Sequence, residues 1–187
     1  LSCQMRSPHT KNEVLCMKLI SYFLFFFLCF GNLDALSESI PRSQNSVPFS
    51  EPLESLIEKG FAAYKNDNFK NAKRIFKKIL SRQPRNFEVL FKLGNCEAIS
   101  GSHAKAIELY KKAITVNNTS HLVYQNLGYA FFKIKEYKKA SRSYRKALEL
   151  NPSSESIYID LSASLFAEKK YFKALSVLDQ AIKRKQN

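Results

Sequence analysis

The chain has 187 residues, enough for one ordinary domain with appendages. Hydrophobic residues make up 45% and charged residues 25%, which fits a folded body and excludes a disordered chain; five glycines leave little material for a phosphate-binding loop. The formal charge is +14, and 27 basic against 15 acidic residues remain from Asn32 onward, so the excess lies in the body and favours acidic partners or anionic surfaces, with a solvated surface as the plainer reading.

The first residue is Leu, and sixteen polar, mixed residues precede Met17. The simplest reading takes residues 1–16 as a mis-called extension and Met17 as the start; a non-standard start codon at position 1 is the alternative. Met17-Lys18 opens a 12-residue stretch from Leu19 to Phe30, apolar but for Ser21 and closed by Asn32 and Asp34. A membrane-spanning helix needs about 20 apolar residues, and a secretory leader about 7–15. Residues 17–35 therefore read as a signal peptide, cleaved after Gly31 or Ala35. An uncleaved signal-anchor is the competing reading. Lipoprotein anchoring through Cys29 is a minority reading on a par with the signal-anchor, since Leu28 stands where a small residue is usual. The chain is expected to be exported, to the periplasm or cell envelope, and contact with a membrane would run through this segment. Cys3, Cys16 and Cys29 lie at or before the apolar run. Cys96 then stands alone, with no disulfide framework and no metal-ligand pair.

Residues 36–50 are rich in Ser, carry two Pro and show no apolar period, so they read as a flexible linker. Ser50 is the expected cap of the first helix, ahead of Glu51 and Pro52.

From there to the end the chain repeats every 34 residues. Gly60, Gly94 and Gly128 keep that step, and Ser162 takes the fourth place. Ala72, Ala106, Ala140 and Ala174 keep it too, as do Phe76, Tyr110, Tyr144 and Leu178. Such a period marks stacked units, none of which can bury its apolar face alone. Within each unit the positions predict two helices. The small residues at positions 8 and 20 sit where two antiparallel backbones approach, and large side chains at 4, 11 and 24 fill the flanks. Pro84 and Pro152 stop the second helix.

The third unit reads Tyr124, Leu127, Gly128, Phe131, Tyr137, Ala140, Tyr144, Ala147, Pro152. This resembles the tetratricopeptide repeat, with Leu or Tyr replacing its leading Trp. The resemblance covers 51–187 as four repeats: 53–86, 87–120, 121–154 and 155–187. It implies an all-α fold, an α-solenoid of helix-turn-helix repeats wound as a right-handed superhelix.

The resemblance also implies a concave groove lined by the first helices. Its ligand-facing positions here are Ile57, Phe61, Tyr64 and Lys65, then Phe91, Asn95, Ala98 and Ile99. The third repeat supplies Leu122, Gln125, Tyr129, Phe132 and Lys133, and the fourth Ile159, Ala163, Phe166 and Ala167. A row so rich in aromatics suggests a peptide or protein partner with apolar anchors and an acidic group near Lys65 or Lys133, although several of these side chains could instead pack on neighbouring helices. The family's carboxylate clamp for chaperone tails is not expected. Only Asn95 matches it, and a carboxylate lacking the other donors would be left desolvated and unpaired.

The outer face of the second helices is basic: Lys70, Arg74, Lys77 and Lys78 in repeat one, Lys138, Lys139, Arg142, Arg145 and Lys146 in repeat three. This reads first as a solubilising surface and second as a docking face for anionic lipid or polyanion. No RNA-binding aromatic motif accompanies it, which argues against nucleic acid. Terminal repeats usually carry a polar cap. No further helix in this sequence covers Leu175, Leu178 and Ile182, so self-association through the last helix is a second expectation.

Nothing points to catalysis. His103 and His121 stand at unit boundaries, no HExxH, GxSxG or P-loop occurs, and the carboxylates form no acid–base pair. No metal or cofactor is expected. The functional expectation is an exported, non-enzymatic adaptor that binds a peptide or protein through its groove, with assembly of the cell envelope as its setting.

Overall fold

The structure, a computed structural model, describes residues 51–186, with side chains as far as Arg184. The leader, the linker and Ser50 lie outside the described residues. The described residues form eight α-helices and no strand. In the first unit α1 is Leu53–Lys65 and α2 is Phe69–Arg82; in the second α3 is Phe87–Ile99 and α4 is His103–Val116. In the third α5 is His121–Lys133 and α6 is Tyr137–Leu150; in the fourth α7 is Glu155–Ala167 and α8 is Tyr171–Gln186.

Local chemistry sets these boundaries. In α2 the buried Ala72, Ile75, Phe76 and Ile79 fall on one face, and Lys and Arg fill the other. Asn68 Oδ1 caps α2 by accepting from the Asn71 amide at 3.2 Å, and Asn86 Oδ1 caps α3 from the Val89 amide at 3.1 Å. The N-cap position of α1 is Pro52, with no side-chain cap bond.

Every first helix ends in the same way. The Asp67 amide donates to the Tyr64 carbonyl at 3.1 Å, and the Asn68 amide to the Ala63 carbonyl at 2.9 Å. Gly101 and Ser102, Lys135 and Glu136, and Lys169 and Lys170 repeat this pair of bonds. It is a Schellman closure, and it needs a left-handed residue at its corner. Asp67, Gly101, Lys135 and Lys169 supply it, with φ of 56°, 77°, 65° and 62°. They are 34 residues apart, so the whole array turns on one backbone conformation. Only the second unit uses glycine for it.

Helices pack on their neighbours in chain order, and the first helices also touch across units, α3 with α5 and α5 with α7. No two second helices approach as closely. The first helices therefore form the inner wall and the second helices the outer one.

The position-8 glycines have a sharper role than backbone approach. The aromatic ring at position 24 lies directly against each of them. A Cβ on Gly60 would stand 2.9 Å from Phe76 Cε1, one on Gly94 2.5 Å from Tyr110 Cε1, and one on Gly128 2.8 Å from Tyr144 Cδ1. All three rings are buried. In the fourth unit the smaller Leu178 replaces the ring, which matches the Ser162 side chain opposite it. Polar ties join successive units. Lys73 Nζ lies 2.7 Å from Glu97 Oε2, whose side chain is only 4% exposed. Ser141 Oγ donates to Glu168 Oε1 at 2.5 Å. Burial raises the Glu168 carboxyl, but hydrogen bonds from Lys170 and Ser141 outweigh it and hold the group below its ordinary value.

Candidate functional site

The inner wall carries the residues the sequence points to, and the structure divides them. In the first two units they are largely committed to internal packing. Phe61 is half-buried and meets Phe76 edge-on at 5.5 Å. Tyr64 is half-buried against Phe69 at 5.6 Å, with Lys92 Nζ 4.9 Å from its ring centre. Phe91 is half-buried between Phe87 and Tyr110. Phe132 is half-buried, edge-on to Tyr137 at 5.3 Å. Lys65, Tyr129, Lys133, Ile159 and Phe166 are exposed. The open apolar surface of the wall thus lies mainly in the third and fourth units, and Ile99 of the second unit, 57% exposed, adjoins it.

Two polar residues of the row hold neighbouring helices together. Asn95 Oδ1 accepts from Tyr110 Oη and from Asn126 Nδ2, each at 2.8 Å, and Asn95 Nδ2 donates to Tyr64 Oη at 3.3 Å. This node joins three successive units. Gln125 Nε2 donates to Asp160 Oδ2 at 2.9 Å and to Ser156 Oγ at 3.3 Å, which ties α5 to α7. Burial raises the Asp160 carboxyl and the Gln125 bond opposes that rise. Sequence reasoning passed over Asp160 and Asn126 on this wall, and the reach of the α4 residue Tyr110 to it through its hydroxyl. Asp160 was the one with a signal, an acid inside a helix that is otherwise apolar.

Between α3 and α5 the wall opens into a pocket of about 380 Å³. Ala98, Ile99 and Tyr129 give it apolar surface, and Asn95, Asn126, His103 and Lys133 its polar groups. Lys133 Nζ stands 5.2 Å from the Tyr129 ring centre, and His103 meets the same ring edge-on at 6.2 Å. The combination suits an apolar side chain beside a negative charge. A carboxylate there would meet one ammonium group.

On the outer wall Lys77, Lys78, Lys138, Lys139, Arg142, Arg145 and Lys146 are all exposed. Lys139 pairs with Glu136 at 3.2 Å and Lys146 with Glu149 at 2.7 Å. The hydrogen bond that Lys146 donates to Glu149 raises its ammonium above the ordinary value. The other five have no carboxylate within ion-pair distance among the described residues.

At the C-terminal end the structure corrects one expectation. Leu175 and Ile182 are exposed, but Leu178 is half-buried. Phe172, which sequence reasoning passed over, is the most exposed large apolar side chain there at 90%.

Cys96 is fully buried, and burial pushes its thiol up to about 11, so at neutral pH it is a protonated packing residue. Burial likewise holds the phenols of Tyr110 and Tyr144 well above the ordinary value, so both are neutral. Among the described residues no three His, Cys, Asp or Glu side chains gather as a metal site, and no helix is long and apolar enough to cross a membrane.

Family models described as tetratricopeptide repeat match residues 57–119 and 121–154. A crystal structure of MamA superposes with a TM-score of 0.64 at 31% identity, over 66% of this chain and 72% of that one. MamA from Desulfovibrio magneticus RS-1 gives 0.68 at 17% identity, over 72% and 76%. MamA AMB-1 gives 0.67 at 20% identity, over 73% and 74%. The two lower-identity matches bear on the fold alone. No functionally curated protein matches the sequence. The chain belongs to the tetratricopeptide repeat family, an all-α solenoid of the kind that serves as a scaffold for protein partners.

Proposed function

We propose that this chain is an exported, non-enzymatic adaptor that binds a peptide or protein partner on the inner wall of its third and fourth repeats, in the assembly of the cell envelope. The observation that carries the site is the exposure of Tyr129, Ile159 and Phe166 along that wall, next to a pocket edged by Lys133. Exposed aromatics on a rigid surface are the usual anchors of recognition, since they bury much area with few torsions to fix. The partner is an extended or helical peptide with apolar anchors and one acidic group. Export rests on the leader read from residues 17–35.

Affinity capture from envelope extract tests this. Wild-type bait is expected to retain a partner that Tyr129→Ala/Lys133→Glu bait loses, with helix content unchanged. Tyr129 and Lys133 are chosen because Phe132 also packs against Tyr137, so its loss would mix binding with stability. Capture unaffected by both substitutions would overturn the groove reading. The N-terminal peptide of the native protein would decide the leader: a first residue at 32 or 36 supports cleavage, and a retained run to Phe30 supports a signal-anchor.

A second reading is docking of the outer wall on an anionic membrane or polyanion. It is favoured by Lys77, Lys78, Lys138, Arg142 and Arg145, which have no carboxylate within ion-pair distance among the described residues. It predicts binding to anionic vesicles that falls steeply with salt and is lost in Arg142→Glu/Arg145→Glu.

A further inference from the structure

The acids of the inner helices have evident local roles, with one exception. Glu54, Glu88 and Glu155 sit in first turns, where the positive end of a helix favours them. The buried Glu97 has Lys73 as its counter-charge. Asp160 is the sixth of the 13 residues of α7, clear of both helix ends. It is half-buried, and no Lys or Arg lies within ion-pair distance of it among the described residues. Its Oδ2 accepts from Gln125 Nε2, a neutral donor, at 2.9 Å. Its Oδ1 has no partner among the described residues, yet it is not sealed from the surface. Burial, and then the charge of Asp160, raises the Tyr144 phenol on α6. A half-buried carboxylate in such a setting costs stability until a cation reaches it.

Bracing the joint between units does not explain the charge. One repeat earlier the same place is held by Asn126, whose Nδ2 donates to Asn95 Oδ1 at 2.8 Å and ties α5 to α3 as a neutral amide. An amide oxygen at 160 could accept from Gln125 as well as a carboxylate does. Asp160 thus supplies a negative charge beyond what the joint needs. That charge lies among exposed apolar surface, with Ile159 beside it on α7 and Tyr129 on α5 at 59% and 45% exposure.

We propose that Asp160 is the subsite for a basic side chain of the bound peptide, a Lys or Arg whose cation reaches Oδ1. This rests on the inner-wall reading above and adds a second charge to the partner, opposite in sign to the group that meets Lys133. The stem of a Lys or Arg is apolar, so it can lie along Ile159 and Tyr129 while its head pairs with the carboxylate. The outer wall, lined by Lys and Arg, repels the same side chain and leaves the inner wall as its place.

The test pans a phage-displayed library of random peptides on the full chain in mild detergent, and measures the selected sequences as synthetic peptides by fluorescence polarisation. Inner-wall peptides are those weakened by Tyr129→Ala/Lys133→Glu. They are expected to share a Lys or Arg at a fixed distance from an apolar anchor. Asp160→Asn is expected to weaken them roughly tenfold, with the urea midpoint unchanged or raised. Replacing the shared Lys or Arg by Ala is expected to cost about as much against the wild type and little against Asp160→Asn. The exchange made on the peptide keeps the test decisive should Asp160→Asn fold poorly. Inner-wall peptides with no shared basic residue, or bound equally well by Asp160→Asn, would overturn the proposal and leave the inner-wall reading standing. A selection in which no peptide depends on Tyr129 or Lys133 would overturn both.

Discussion

Replacing Gly94 by Ala sets two effects of opposite sign against each other. In an exposed helix the change stabilises by about 1 kcal/mol, because alanine is the better helix former. Here the new Cβ would stand 2.5 Å from Tyr110 Cε1, 2.8 Å from Cδ1 and 3.2 Å from Cζ. Ordinary carbon contacts lie at about 3.5–4.0 Å, so the ring must move by roughly 1 Å. Tyr110 is buried, and its hydroxyl holds Asn95 Oδ1 at 2.8 Å, so a shifted ring also strains the node that joins three units. Overpacking costs about 1–3 kcal/mol, and a lost buried hydrogen bond about 1 kcal/mol more. The expected net effect is a destabilisation of about 1–3 kcal/mol, read as a lower urea midpoint of the helical signal at unchanged slope. Gly60→Ala is expected to cost less, since its nearest contact is 2.9 Å and Phe76 carries no hydroxyl. Gly128→Ser with Tyr144→Leu copies the fourth unit and is expected to recover part of the loss of Gly128→Ser alone. A Gly94→Ala protein as stable as the wild type, or more so, would refute the ring-on-glycine packing.

Lys135→Gly is expected to stabilise by about 1 kcal/mol in urea, because Lys135 holds φ 65° at a cost that glycine does not bear; Gly101→Ala, at φ 77°, is expected to destabilise by a similar amount. Lys73→Ala leaves Glu97 buried without its counter-charge and is expected to cost about 3 kcal/mol, far more than Lys77→Ala on the outer wall. Cys96 is expected to react slowly with thiol reagents at pH 8 and at once in denaturant. Its folded thiol ionises near 11 against an ordinary 9.0, so stability is full below pH 9 and falls as pH rises through that window. Cys96→Ala should flatten this alkaline loss, a change readable in denaturation curves at pH 8 and pH 10.

The repeat was legible because its packing rule is chemical and local. A ring at position 24 demands a missing side chain at position 8, so Gly60, Gly94 and Gly128 keep their spacing, and Ser162 appears only where Leu178 replaces the ring. The left-handed corner was not legible, since Asp67, Gly101, Lys135 and Lys169 share a backbone angle and no side-chain chemistry. The groove was legible as a row of positions and not as a surface. Phe91 and Tyr129 lie on the same inner wall, yet packing on Phe87 and Tyr110 half-buries Phe91 while Tyr129 stays exposed. Asn95 could not be read as a brace, because its partners Tyr64, Tyr110 and Asn126 come from three different units. Phe172 was missed because its place is held in the earlier units by Lys70, Ala104 and Lys138, all exposed and none of them a large apolar side chain.

The central claim is that the partner lies on the inner wall of the third and fourth repeats. Mapping the amide chemical shifts of the labelled protein, with and without a peptide from the captured partner, tests it directly. Shifts are expected to centre on α5 and α7 around Tyr129, Lys133, Ile159 and Phe166. Shifts confined to α2 and α6, around Lys77 and Arg142, would contradict it.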